Sequence, residues 1–202
     1  MTNIILVDDH PIVLMAAKVI LEKNNFSVVA EAKNGVEAIK KIKEYQPHIV
    51  VIDISIPLID GISVIERCTA MGITTKFLVL TSQPNSHFVS LCMQAGAYGY
   101  LSKETGLEEL VTAMKAIAAG YKFFPDCVTH LSTVQDQNDL SILSAREIVV
   151  FNYLVSGLSN NEIAEKMLIS NKTVSTYKKR IMDKLNAKNI VDLISIAKRN
   201  NV

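Results

Sequence analysis

The sequence has no apolar run approaching the ~18 residues that a membrane-spanning helix requires, which excludes a helical span. Its first residues, MTNIILVDD, carry no basic segment before the apolar one and an acidic pair directly after it, so no signal peptide is expected. Cysteine is scarce: Cys68, Cys92 and Cys127 lie far apart and none forms a C-x-x-C pair. That argues against a disulfide framework or a zinc site. It fits reduced thiols in a cytoplasm, with Cys68 and Cys92 as small buried hydrophobes. No G-x-G-x-x-G and no G-x-x-x-x-G-K-[ST] occurs, so dinucleotide binding and P-loop chemistry lose support. There is no internal repeat and no low-complexity tract. Excess charge is also missing, with a formal net value of +1 over 202 residues.

That average conceals an asymmetry. Residues 1–121 hold 10 Lys and Arg against 12 Asp and Glu, whereas residues 141–202 hold 10 against 5. An acidic half followed by a basic one predicts two domains with different partners, and 49% hydrophobic content can supply a core to each.

In the first half, near-continuous apolar runs recur: IILV (4–7), FSVVA (26–30), HIVVI (48–52), KFLVL (76–80) and YGYL (98–101). Runs apolar at every position suit strands covered on both faces, as in a parallel sheet. Segments between them show helical spacing. The expected core faces are Ile12, Ala16, Val19 and Ile20; Val36, Ile39 and Ile42; Ile62, Ile65 and Cys68; and Leu107, Leu110, Val111, Met114, Ile117 and Ala118, stopped by Gly120. Strands alternating with helices predict a doubly wound, five-stranded α/β domain over residues 1–121. Residues 122–140 break the pattern with Pro125 and a polar centre, and read as a linker whose apolar start can pack on a domain.

Residues 141–202 read as a small all-α domain of four helices. Ser144 and Glu147 form a capping box, and Gly157 ends the first helix. A short helix from about Asn160 to Met167, the turn LIS and a helix from about Asn171 make a helix-turn-helix. In that third helix Val174, Ile181 and Leu185 should face the core. Lys172, Ser175, Thr176, Lys179 and Asp183 lie opposite, flanked by Lys178 and Arg180. The fourth helix spans about Ile190 to Arg199, with Leu193 and Ile196 toward the core. Ile190, Val191, Ile194 and Ala197 form an exposed stripe that could pair two copies. A surface on the first domain's first and fifth helices is the alternative.

In a parallel α/β sheet, ligands gather at the carboxyl ends of the strands. Asp8 and Asp9 end the first strand, Asp53 the third and Thr81 the fourth, while Lys103 follows the fifth. Three like charges together would destabilise the fold unless a cation joins them, and a hard divalent ion such as Mg²⁺ (or Mn²⁺) suits oxygen ligands. His10 beside the acid pair invites a metal-ligand reading, but before Pro11 it reads first as the residue that starts the first helix.

This constellation resembles the receiver domain of bacterial two-component response regulators over residues 1 to about 120, a flavodoxin-like fold. The resemblance implies that Asp53 accepts a phosphoryl group from a sensor histidine kinase or a phosphotransfer protein. It implies that Asp9 ligates the metal directly, Asp8 through water, and Ser55 through its backbone carbonyl. Thr81 and Lys103 would bind the phosphoryl oxygens, Tyr100 would be the switch aromatic, and Ser55 and Gln83 would tune hydrolysis. Glu104 departs from the proline that frequently follows the lysine.

Residues 141–202 resemble the LuxR-type (NarL/FixJ) DNA-binding domain through LSAREI, GLSNNEIA, SNKTVSTY and KL. Within that family SNKTVSTYK and AKRNN look most like the BvgA/EvgA subgroup. By this resemblance Ser175, Thr176 and Lys179 read base edges in double-stranded promoter DNA. Lys172, Thr173, Lys178 and Arg180 contact phosphates, and the chain acts as a homodimer that meets RNA polymerase. The implied function is a phosphorylation-switched transcription regulator that turns over no free substrate. A metal-dependent aspartyl phosphatase is the rival, but its D-x-D is here Asp53-Ile54-Ser55, and serine cannot protonate a leaving group. A constitutive DNA-binding protein with a vestigial receiver is disfavoured by the complete five-residue site.

Overall fold

A computed structural model of the chain describes residues 1–82, 86–124 and 139–200. The expectations for Gln83, Pro125, Cys127 and most of the 122–140 segment lie outside these residues, as does the side chain of Leu107. The chain forms two compact units, Met1–Ser132 and Thr133–Val202.

In the first unit five strands alternate with five helices: β1 (Thr2–Val7), α1 (Pro11–Lys23), β2 (Phe26–Ala32), α2 (Gly35–Tyr45), β3 (Ile49–Ile52), α3 (Gly61–Ala70), β4 (Lys76–Thr81), α4 (Ser86–Ala95), β5 (Gly99–Ser102) and α5 (Leu107–Ala118). All strand pairs are parallel, in the order β2-β1-β3-β4-β5. Helices cover both faces, and this is why the strands are apolar at every position. Ile4, Leu6, Ile49, Val51, Leu78 and Leu80 pack with Leu14, Ala17, Leu21, Leu110, Ala113, Met114 and Ile117. The alternate residues Ile5, Val50, Ile52, Phe77 and Val79 are also buried. Each such side chain contributes about 1.5–3 kcal/mol relative to exposure.

The face expected of α1 is only half met: Ile20 packs on the core and Ala16 is half-buried. Leu14, Ala17 and Leu21 are buried, while Ile12 and Val19 are 77% and 63% exposed. In PIVLMAAKVILEK almost every position is apolar, so spacing alone does not choose a side, and the sheet takes the stripe that fits under β1. On α2, Val36 is exposed, with Gly35, Ala38 and Ile42 buried and Ile39 half-buried, and Ala118 on α5 is exposed. On α3, Ile62, Ile65 and Cys68 are buried as expected.

Beyond α5 the chain returns to the free edge of β5. The Tyr100 N–H donates to the Phe123 carbonyl at 2.8 Å, and the Phe123 N–H to the Tyr98 carbonyl at 2.9 Å. This approach requires glycine at 99, where a Cβ would stand 2.9 Å from the Phe123 carbonyl oxygen and from methyls of Leu78 and Ile117. Phe123 also packs on the core, so the apolar start of the 122–140 segment belongs to this unit.

The second unit holds α6 (Ala145–Val155), α7 (Asn160–Met167), α8 (Asn171–Lys184) and α9 (Ile190–Arg199). Four polar residues start these helices: Ser144, Ser159, Ser170 and Asn189 each accept from a backbone N–H in the first turn. Ile148, Val150, Phe151, Ile163, Val174, Ile181 and Leu193 are fully buried between them.

On α9 one expectation fails. Ala197 is only 2% exposed, because it lies one turn after Leu193 and beside Ile196 on the core face. Val191 is 63% exposed, and Ile190 and Ile194 are half-buried, so the exposed stripe is shorter than the sequence suggested.

Candidate functional site

At the carboxyl edge of the sheet, β1 and β3 are neighbours whose following helices go to opposite faces, so the chain opens a crevice there. Val7 pairs with Ile52, and the Asp53 N–H donates to the Val7 carbonyl at 2.9 Å, which sets Asp8 and Asp53 side by side. Both are buried, at 4% and 3% exposure. Thr81 closes β4, opposite Ser102 on β5, and Lys103 follows directly. Four strands thus bring together the residues the sequence placed at their ends.

Lys103 fills the space between the carboxylates. Its Nζ lies 2.6 Å from Asp8 Oδ2 and 2.9 Å from Asp53 Oδ2. Burial pushes the Asp53 carboxyl upward and the charge on Asp8 adds to this. The Lys103 ammonium and the Ser55 backbone N–H act in the other direction without cancelling it. For Lys103, burial works against the ammonium, but Asp53 and Asp8 outweigh it and hold its pKa above the ordinary value. One cation between two buried anions leaves the site short of positive charge.

Asp53 Oδ1 is buried and accepts no hydrogen bond among the described residues, and the buried Asp9 Oδ1 has His10 Nδ1 beside it. Oxygens of this kind, in a cluster of carboxylates, are the donor set for a hard divalent cation. Side-chain ligand atoms of Asp8, Asp9, His10 and Asp53 lie within 4.8 Å of one another. His10 begins α1 as expected, and its ring also lies against the acid pair. Nδ1 is 3.0 Å from Oδ1 of both Asp8 and Asp9.

The loop after β3 is shaped by a close approach. A Cβ on Gly61 would fall 2.2 Å from the Asp53 carbonyl oxygen, and the Gly61 N–H donates to the Ile54 carbonyl. Asp60, buried, caps α3 through the Ser63 N–H and hydroxyl at 2.8 and 2.7 Å. Glu104, where a proline is frequent, uses the N–H that proline lacks to donate to Ser102 Oγ at 3.2 Å, starting a 3-10 turn over Lys103–Thr105. Tyr100 is 2% exposed, in register with Val79.

In the second unit, α7 and α8 are joined by a turn that Leu168 enters at φ 50°. Lys172, Ser175, Thr176, Lys179 and Arg180 are exposed on α8, and Thr173 is half-buried. Lys178 is half-buried as well, since it lies four residues after Val174 and three before Ile181, both core residues. Several hydroxyls already have partners. Ser175 Oγ accepts from Asn160 Nδ2 at 3.1 Å, and Thr176 Oγ1 donates to the Lys172 carbonyl at 2.9 Å. A bond from Asn171 Nδ2 to Asn161 Oδ1 completes a polar clasp between α7 and α8. Nothing in the spacing of these asparagines marks them. At the other end of α8, Lys184 Nζ bonds Glu147 Oε2 at 2.7 Å and the Ile142 carbonyl at 3.1 Å, which ties that helix to the start of α6.

Comparisons with known proteins agree across both units. Residues 4–115 match the response regulator receiver domain, and residues 141–197 match the bacterial regulatory proteins of the luxR family. The chain is 44% identical over 207 residues to the virulence-factor transcription regulator BvgA of Bordetella pertussis, covering 99% of this chain and 98% of that one. It is 40% identical over 203 residues to the DNA-binding transcriptional activator EvgA of Escherichia coli K12, covering 99% of each. Among solved structures, RcsB of Salmonella typhimurium aligns with a TM-score of 0.71 at 28% identity over 98% of this chain and 97% of that one. RcsB bound to the rprA promoter with the phosphomimetic BeF₃⁻ aligns at 0.68, with 27% identity over 98% and 99%. Sheet order, strand-end carboxylates, helix-turn-helix and full-length similarity converge, and the chain belongs to the two-component response regulators that join a receiver domain to a LuxR-type DNA-binding domain.

Proposed function

We propose that Asp53 accepts a phosphoryl group from a sensor histidine kinase or a phosphotransfer protein, and that this controls dimerisation and binding to double-stranded promoter DNA. In this reading residues 1–121 are the receiver, 122–140 the linker and 141–202 the DNA-binding domain of a cytoplasmic regulator. The observation that carries it is the Asp53 carboxylate, buried at a sheet crevice with Oδ2 on Lys103 and Oδ1 without a donor.

Asp9, Asp53 and the Ser55 carbonyl would hold Mg²⁺ (or Mn²⁺), with Asp8 acting through water; the ion supplies positive charge for the transferring group. Asp53 Oδ1 is the lone pair free to attack phosphorus, since Lys103 engages the other oxygen. Lys103 follows the charge as it moves onto the phosphoryl oxygens, and Thr81 donates to one of them. Drawing Thr81 toward the phosphoryl group biases Tyr100 between two positions. A chain that does only this self-phosphorylates and slowly self-hydrolyses, without turning over free substrate.

On DNA, Lys172, Thr173, Lys178 and Arg180 position α8 on phosphates while Ser175, Thr176 and Lys179 face base edges. Because the Thr176 hydroxyl is spent on its own helix, its methyl is the group left for contact with thymine. One recognition helix reads too few base pairs, so a homodimer is needed, paired through Ile190, Val191 and Ile194 of α9 or through the exposed α1 face of Ile12, Met15 and Val19. A promoter-bound dimer then recruits RNA polymerase.

Incubation with Mg²⁺ and acetyl phosphate or BeF₃⁻ should raise dimer fraction and promoter affinity together, with Asp53→Asn inert. Equal responses in wild type and Asp53→Asn would overturn this reading.

A further inference from the structure

Four polar side chains join α7 to α8 in a directed chain of hydrogen bonds. Asn160 Nδ2 donates to Ser175 Oγ at 3.1 Å, and Ser175 Oγ donates in turn to Asn171 Oδ1 at 3.4 Å. Asn171 Nδ2 then donates to Asn161 Oδ1. Asn160 and Asn161 open α7 and Asn171 opens α8, but Ser159 and Ser170 already cap those helices. The asparagines are spent on Ser175 and on one another.

A hydroxyl has one hydrogen to give and two lone pairs to offer. At Ser175 the hydrogen goes to Asn171 and one lone pair takes the Asn160 amide, so a single lone pair is left. The Asn160 donor also keeps the hydrogen from turning to that side. Ser175 is exposed, and whatever α8 meets finds there an acceptor and no donor. Its neighbours differ in kind: Thr176 has spent its hydroxyl on the Lys172 carbonyl and offers a methyl, while Lys179 offers donors alone. In the major groove adenine and cytosine present amino groups, whereas thymine O4 and guanine O6 and N7 are acceptors. An acceptor-only hydroxyl bonds the first two bases and meets the other two lone pair to lone pair.

We propose that Asn171 is a positioning residue that fixes Ser175 as a hydrogen-bond acceptor, so that α8 selects adenine or cytosine, against thymine or guanine, at the base facing Ser175. This inference rests on Ser175 facing base edges, as in the proposed function.

For the test, a duplex is selected from a randomised library by the full chain with Mg²⁺ and BeF₃⁻, and each base pair is then varied in turn. Ser175→Ala identifies the position it faces, because the preference there flattens. Wild type should favour adenine or cytosine at that position by about threefold to tenfold, the range of one hydrogen bond. Asn171→Ala frees the hydroxyl hydrogen, and the preference should fall to within about twofold, because the group can then give or accept. Asn171→Asp loses the same bond to Asn161 but keeps an oxygen for Ser175. It should retain the preference, while its charge weakens binding to every sequence. A purely structural role for Asn171 would lower affinity for all bases alike and leave their ratio unchanged. An unchanged ratio in Asn171→Ala, or a wild-type preference for thymine or guanine, would overturn the inference and leave Ser175 as a base contact. If Ser175→Ala flattens no position, Ser175 leaves the base-reading set of the proposed function and the inference falls with it. The readout is a ratio between sequences, so it stands apart from whether phosphorylation of Asp53 raises affinity.

Discussion

Replacing Lys184 by Met keeps the side-chain stem and deletes the ammonium that bonds Glu147 and the Ile142 carbonyl. Removing one partner of a fully buried pair costs about 3–5 kcal/mol. Lys184 is 41% exposed, so water screens its end of the pair, and the Glu147 carboxylate still accepts from the Ser144 N–H. About 1–2 kcal/mol remains. In a unit of this size that lowers Tm by roughly 5–10 °C. Burial pushes Glu147 upward, but Lys184 and Ser144 outweigh it, and the folded carboxyl titrates below its ordinary 4.5. A carboxylate with a depressed folded pKa adds stability above the unfolded value, and this is lost as pH falls through the folded one. The difference in Tm between wild type and Lys184→Met should therefore be full at pH 7, hold to about pH 4.5, and shrink below it. What persists in acid is the bond to Ile142. Calorimetric melts of the full chain across this range are the assay. A difference of under about 1 °C at pH 7, or one unchanged down to pH 3, would refute the reasoning.

Gly61→Ala should destabilise the first unit by about 3 kcal/mol or more and abolish acetyl-phosphate labelling, since its methyl meets the Asp53 carbonyl; urea titration and labelling check both. Lys172→Ala or Arg180→Ala should each lower the slope of log affinity against log salt by roughly one, measured on a promoter fragment. Lys178→Ala should lower that slope by roughly one as well, and should also cost stability, because its stem lies against the core side of α8. Ile12→Lys and Val19→Lys should leave urea stability of the monomer within about 0.5 kcal/mol, because neither side chain is packed.

The strands of the first unit were legible because burial on both faces imposes a continuous apolar run, which few other settings allow. The residues at their carboxyl ends followed from topology alone, and so Asp8, Asp53, Thr81 and Lys103 could be placed before any coordinates. Helix α1 was not legible in the same way. Its apolar excess offers two stripes, and only the fit of Leu14 and Leu21 under the sheet selects one. Ala197 failed for a related reason: alanine suits either side of a helix, and packing with Leu193 decided it. His10 was legible as the start of a helix and as a neighbour of the acid pair, but the distance from its ring to them depends on the backbone turn at 8–11. The asparagines that join α7 to α8 carry no pattern, because a hydrogen bond between two helices follows from their crossing and leaves no period in either.

Beyond α5, residues 121–124 return to the edge of β5. A sheet edge with unpaired N–H and C=O groups is a template for intermolecular pairing. Here Phe123 gives that edge two hydrogen bonds, as an isolated bridge to Gly99, and a side chain to the core beneath it. A receiver fragment cut at residue 118, where α5 ends, would therefore expose β5 and tend to self-associate through it, whereas one cut after 124 would keep its own selvedge.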